Sequence, residues 1–138
     1  MSSIREQILA RMLVVLTGTL PGAIPVWRSA EFSFDRTLVP AVVIKPDDEE
    51  TIPLTDLLEV SHLKVHLEVI VRGNVWDNLA DPIIVAGHAL LLNDATLATL
   101  CSRIRRTEAK WAAHEADSSA GVLTQGYRLQ YSTQTNSL

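Results

Sequence analysis

Between positions 61 and 72 the chain reads Ser-His-Leu-Lys-Val-His-Leu-Glu-Val-Ile-Val-Arg, an alternation of apolar and polar residues. Leu63, Val65, Leu67, Val69 and Val71 fall on one face of a β-strand, and His62, Lys64, His66, Glu68 and Arg72 on the other. Only Ile70 breaks the pattern. One face meets a core and the other meets water or a polar partner. Twelve residues is about twice the usual strand length, so part of the strand is expected to project beyond its own sheet. That suggests a chain built to pair with something.

The period changes near the N-terminus. Ser3-Ile4-Arg5-Glu6 has the form of a capping box. Ile4, Ile8, Met12 and Val15 then recur at helical spacing with Leu9 and Leu16 beside them. Gly18 stops the helix and Pro21-Gly22 marks a turn. Residues 24–30 read as a short edge strand containing Pro25. Residues 31–35 alternate briefly, and residues 38–45 form a more buried strand that Pro40 begins and Pro46 ends. Residues 46–58, opening with Asp47-Asp48-Glu49-Glu50, are expected as an acidic loop or loose hairpin, because four adjacent carboxylates repel one another.

After Gly73-Asn74, Asp81 and Pro82 predict a helix start, with Asp81 as N-cap and Trp76 and Leu79 left in a preceding turn. Its buried stripe is Ile83, Ile84, Gly87, Leu90 and Leu91. Asn93-Asp94 breaks it and residues 95–101 add one more turn. Residues 104–114 and 122–131 form a long hairpin joined by a flexible polar connection, and residues 132–138 are a frayed tail. The order predicts one α+β domain over residues 1–138. Its antiparallel or mixed sheet has four to five strands with two main helices packed on one face.

Composition narrows the function classes. The chain has 138 residues, 12 Lys and Arg against 16 Asp and Glu, a net charge of −4 and 47% apolar residues. That length supports one domain with a self-sufficient core. The acidic balance argues against nucleic acid as a main partner, so no sequence-specific nucleic acid is expected. Cys101 is the single cysteine, which excludes an internal disulfide and fits a reducing compartment. No run approaches the roughly 18–20 apolar residues of a membrane span, so no membrane partner is expected. Residues 12–20 are apolar enough to test as a signal peptide, but Glu6 and Gln7 occupy the place of its basic segment. The chain is expected to remain inside the cell that makes it.

Catalytic chemistry finds little footing. His62 and His66 share a face but lie about 13 Å apart at ~3.3 Å per residue, too far to share one ion, and His66 with Glu68 supplies only two ligands. Cys101 reads as a half-buried structural thiol rather than a nucleophile, since it needs a base beside it. There is no Gly-x-Ser-x-Gly elbow and no phosphate-cradling glycine run. Arg103-Ile104-Arg105-Arg106 is the one basic concentration, and alternation puts Arg103 and Arg105 on one face and Arg106 on the other. Trp111, Tyr127 and Tyr131 are read as cross-strand packing rather than a ligand cage. No catalytic residue, metal or cofactor is expected.

Local wording adds a resemblance. An Ile-Arg-Glu-Gln-Ile-Leu-Ala-Arg helix leads to a Val26-Trp27-Arg28 strand, then to Leu-Val-Pro-Ala-Val-Val-Ile with its acidic Pro-Asp-Asp-Glu-Glu continuation. The alternating strand follows, then the Asp-Pro helix ending in His-Ala-Leu-Leu. A strand with Thr107 and Trp111 and a final Tyr-Arg-Leu-Gln-Tyr complete the order. Over nearly its whole length the chain resembles the tail-terminator, or minor tail protein U-like, group of long-tailed phages and prophages. The resemblance implies a structural protein of the virion tail, assembled in the host cytoplasm. It implies a homo-oligomeric ring, typically a hexamer, at the head-proximal end of the tail tube, which stops tube polymerisation and presents a surface to the head connector. Its partners would be copies of itself, the tail tube protein and the neck protein. The long acidic segment departs from the simplest pattern of that group.

A ring needs two different patches that meet. Lys64, Arg72, Arg103 and Arg105 on one side, and Asp47, Asp48, Glu49 and Glu50 on another, are the expected interface residues. The alternatives are a neck or head-completion protein of similar shape, and a small ligand- or metal-binding domain using His62, His66 and Glu68.

Overall fold

A computed structural model describes residues 2–29, 40–114 and 117–138. The elements are α1 (Ile4–Leu16), a single 3-10 turn (Pro21–Ala23), β1 (Val26–Arg28), β2 (Ala41–Pro53), β3 (Leu58–Arg72), α2 (Trp76–Leu92), α3 (Ala95–Leu100), β4 (Arg103–His114) and β5 (Asp117–Gln134). The five strands form one sheet in the order β1-β2-β3-β5-β4. β1 runs parallel to β2 and every other pair is antiparallel, so the sheet is mixed and the fold is α+β. The brief alternation at residues 31–35 lies outside the described residues.

Helices α1 and α2 pack on one face of the sheet, and α3 packs on α1. Ile8, Met12 and Leu16 from α1, and Ile83 and Leu91 from α2, are buried against Val65, Leu67, Val69, Tyr127 and Leu129. The alternation of β3 is realised: Leu63, Val65, Leu67, Val69 and Val71 are all at most 3% exposed. Ile70, which breaks it, is also buried, together with Val43 and Ala41 on the same outward parity.

β3 extends to fifteen residues and does not project beyond its sheet. Its whole length from Leu58 to Arg72 pairs with β5, and β2 flanks the other side, which makes it a central strand. The open edges therefore lie elsewhere. β4 closes the sheet at one side. At the other, β1 covers β2 only at Val42, Val43 and Ile44.

Four boundaries differ from the sequence expectation, each for a local reason. Residues 46–53 are strand rather than loop, and the hairpin turn falls at residues 54–57. The four acids are tolerated because a bulge between Pro46 and Glu49 splays them onto different sides. Pro46 shares the parity of Val42 and Ile44, whose backbone groups bond toward β1, so its missing N–H falls on the edge. Helix α2 starts at Trp76, five residues before Asp81, and Pro82 lies inside it. Trp76, Ala80 and Ile83 continue the inward stripe at spacings of four and three, and Trp76 lies over Gly121, whose missing side chain leaves the room.

The hairpin strand expected over residues 122–131 spans Asp117–Gln134, so the polar connection shrinks and the tail is ordered through Gln134. Tyr131 and Thr133 are buried, and Thr135 N–H bonds the Leu57 carbonyl. The capping box is half made. Ser3 Oγ accepts from Glu6 N–H at 3.2 Å, but the Glu6 carboxylate takes the Arg28 guanidinium at 2.7 and 2.5 Å instead of reaching back.

Candidate functional site

The sheet face away from the helices is a charged surface laid out by strand register. Outward residues of β3 are His62, Lys64, His66 and Glu68, which meet Gln130, Arg128, Gly126 and Thr124 on β5. On β4, Arg103 stands opposite Gln130 and Arg105 opposite Arg128. The expected Arg103/Arg105 parity holds, and Arg106 turns to the helix side opposite buried Tyr127. A second bulge between Arg106 and Ala109 then resets the pattern. Gly126 gives the bulge its room, because a Cβ there would collide with Thr107 Oγ1.

Two shallow hollows mark this face. One, of about 130 Å³, is lined by His62, Arg103, Arg105, Arg128 and Gln130. The next, of about 250 Å³, shares His62 and Arg128 and adds Asp48, Glu50, Lys64, Thr107 and Glu108. Basic and acidic ends thus adjoin on one surface. Between them Lys64 Nζ lies 3.0 Å from Glu108 Oε1 and 3.9 Å from Asp47 Oδ2. Hydrogen bonding to Lys64 holds the Glu108 carboxyl below its usual range and raises the Lys64 ammonium in turn. Lys45 and Glu68 pair at 2.7 Å on the same face.

The eight predicted interface residues divide three ways. Asp48, Glu50, Arg103 and Arg105 share the two hollows and are exposed. Lys64 and Asp47, expected on opposing patches, are neighbours within one protomer. Glu49 lies apart from these: it faces the helix side, opposite Leu63, where Arg5 Nη1 donates to it at 2.6 Å and the Tyr131 hydroxyl donates to it as well. Arg72 also stands apart, eight positions from Lys64 along β3, or roughly 26 Å at ~3.3 Å per residue.

Arg128 is not among the residues expected from the sequence. It sits between Tyr127 and Leu129 on an alternating strand, so its outward parity was visible, but its position opposite Arg105 needed the register. Glu108 was missed because a bulge carries it to the outer face.

On the helix side, β4 lies beyond the cover of the helices. Residues 105–113 are all exposed, among them Trp111 at 56%, so Trp111 does not join Tyr127 and Tyr131 in the core as expected. It rims a cleft of about 480 Å³ with Arg106, His88, Tyr127 and Asp81. There His88 Nδ1 and the Tyr127 hydroxyl are 3.0 Å apart with the rings stacked. Burial, and then Arg106, lowers the His88 imidazole, while burial pushes the Tyr127 phenol up to about 12.

Cys101 is buried, its thiol hydrogen-bonded to the Leu97 carbonyl at 3.2 Å and pushed up to about 11 by desolvation, which suits a structural role. Among the described residues, no group of three His, Cys, Asp or Glu side chains is placed to hold a metal ion. No described helix is long and apolar enough to cross a membrane. No protein-family model matches the chain, and no curated protein matches it.

Proposed function

We propose that this chain is a phage tail-assembly protein. Copies form a ring at the head-proximal end of the tail tube, stop its polymerisation and give the head connector a surface to join. The observation that carries this reading is β4, a twelve-residue strand at the edge of the sheet whose residues 105–113 are exposed. A long strand edge is a template for strand pairing, and the bulge between Arg106 and Ala109 with its flanking charges narrows that pairing to a partner edge of matching shape and opposite charge. The second support is polarity. The protomer carries an acidic bulge on β2 and arginines on β4, which gives two different patches for a head-to-tail contact. The reading rests on binding surfaces and assigns no residue a catalytic role.

The direct test adds the purified protein to polymerising tubes of its cognate tail tube protein and images them by electron microscopy. Tubes capped at one end and halted in length support the reading. Tubes that grow unaltered, with no particle at either end, overturn it.

A further inference from the structure

The two open edges of the sheet match each other row by row. Beyond Ile44, β2 has no strand on its outer side among the described residues, and β4 has none on its own. One row across the sheet runs Glu50, His62, Gln130, Arg103. The next ends on Arg105 through Lys64 and Arg128, and starts in the bulge that holds Asp47 and Asp48. A third runs Lys45, His66, Gly126 and reaches β4 in its bulge, where Glu108 turns to the outer face and meets Lys64. From β2 to β4 the rows read acid to base, acid to base, base to acid.

We propose that copies of this chain join head to tail, with β4 of one protomer laid beside the Lys45–Ile52 segment of β2 in the next. Strand directions alternate across β2, β3, β5 and β4, so the new pair is antiparallel and continues the sheet. With rows aligned, Arg103 meets Glu50, Arg105 meets Asp48 and Glu108 meets Lys45. A one-residue slip throws the charges to opposite faces. A slip of one row keeps a single attractive pair and adds repulsion: Arg105 falls on Glu50 but Glu108 on Asp48 and Lys110 on Lys45, or Arg103 falls on Asp48 but Arg105 on Lys45. β1 blocks β2 at Ile44, which stops the contact from running further. The contact is heterologous, so each addition leaves one acidic and one basic edge free until the assembly closes. This rests on the assembly reading above and adds which edges meet and in what register.

The test uses three variants of the full chain: Arg103→Glu with Arg105→Glu, Asp48→Lys with Glu50→Lys, and all four together. Thermal melts first establish that each is folded, and masses are read with and without tail tubes. Each double variant is expected to stay at the 15.2 kDa protomer mass where the wild type assembles. The fourfold variant, and an equimolar mixture of the two doubles, should recover wild-type assembly. Double variants that assemble like the wild type, or a folded fourfold variant that does not assemble, overturn the edge contact and leave the assembly reading standing. A wild type that stays monomeric even with tubes overturns both.

Discussion

Arg105 on β4 stands directly opposite Arg128 on β5, and Lys64 follows Arg128 on the far side, so three cations occupy one row of the outer face. Glu108 and Asp47 answer Lys64. Like charges directly opposite on neighbouring strands are destabilising. Arg128→Gln is therefore expected to raise the stability of the dilute protomer by roughly 0.2–1 kcal/mol at low ionic strength. The gain should vanish in high salt, where exposed charges are screened. Chemical denaturation of both proteins at two salt concentrations checks it, and a less stable variant at low salt would contradict it.

Glu49 works inside the protomer. It ties α1 to the sheet through Arg5 and satisfies the Tyr131 hydroxyl, whose phenol is raised to about 12, chiefly by burial. Glu49→Ala removes the carboxylate that ties Arg5 and the Tyr131 hydroxyl together and leaves that hydroxyl only Ser61, a loss expected to cost about 1 kcal/mol, the ordinary worth of one hydrogen bond. Stability should fall by that amount while the assembled mass stays as in the wild type. Loss of assembly without loss of stability would return Glu49 to the interface.

Trp76 lies over Gly121, and a methyl group added there would sit inside the indole. Gly121→Ala must push Trp76 away from β5 and disturb the first turn of α2. Overpacking of this kind costs typically about 1–3 kcal/mol. Denaturation together with tryptophan fluorescence reads both consequences; unchanged stability and emission would show that Trp76 does not anchor the helix.

His88 gives the fold a dependence on pH. Its folded value lies below its unfolded value, near 6.5, so between the two the unfolded chain holds a proton that the folded chain refuses. Stability contributed by the neutral ring is complete above the unfolded value, declines as pH falls through that window, and levels off below the folded value. His88→Gln should flatten this part of the profile. Melting temperatures from pH 7.5 to 5 compare the two, and parallel profiles would remove His88 from the explanation.

The fold class was legible because the strongest signals were long and periodic. The stripe of Ile8, Met12 and Leu16 and the alternation from Leu63 to Val71 both land in the core. What escaped were features set by tertiary partners. Asp81-Pro82 has the wording of a helix start, yet the contact of Trp76 with Gly121 starts α2 earlier. Four adjacent acids suggest a loop, yet a bulge and the pairing of Glu49 with Arg5 keep them in a strand. The candidate surface was half visible. Arg103, Arg105, Asp48 and Glu50 stood out as charge runs, whereas Arg128 and Glu108 join them only through register and a second bulge.

Assembly is most directly tested by the solution mass, measured by light scattering over a range of protein and salt concentrations, with and without tail tubes. The expected result is a closed particle of several 15.2 kDa chains, six for a hexameric ring, forming alone or on the tubes and weakening as salt rises. A protomer or simple dimer that persists at every concentration, with tubes present, would contradict it.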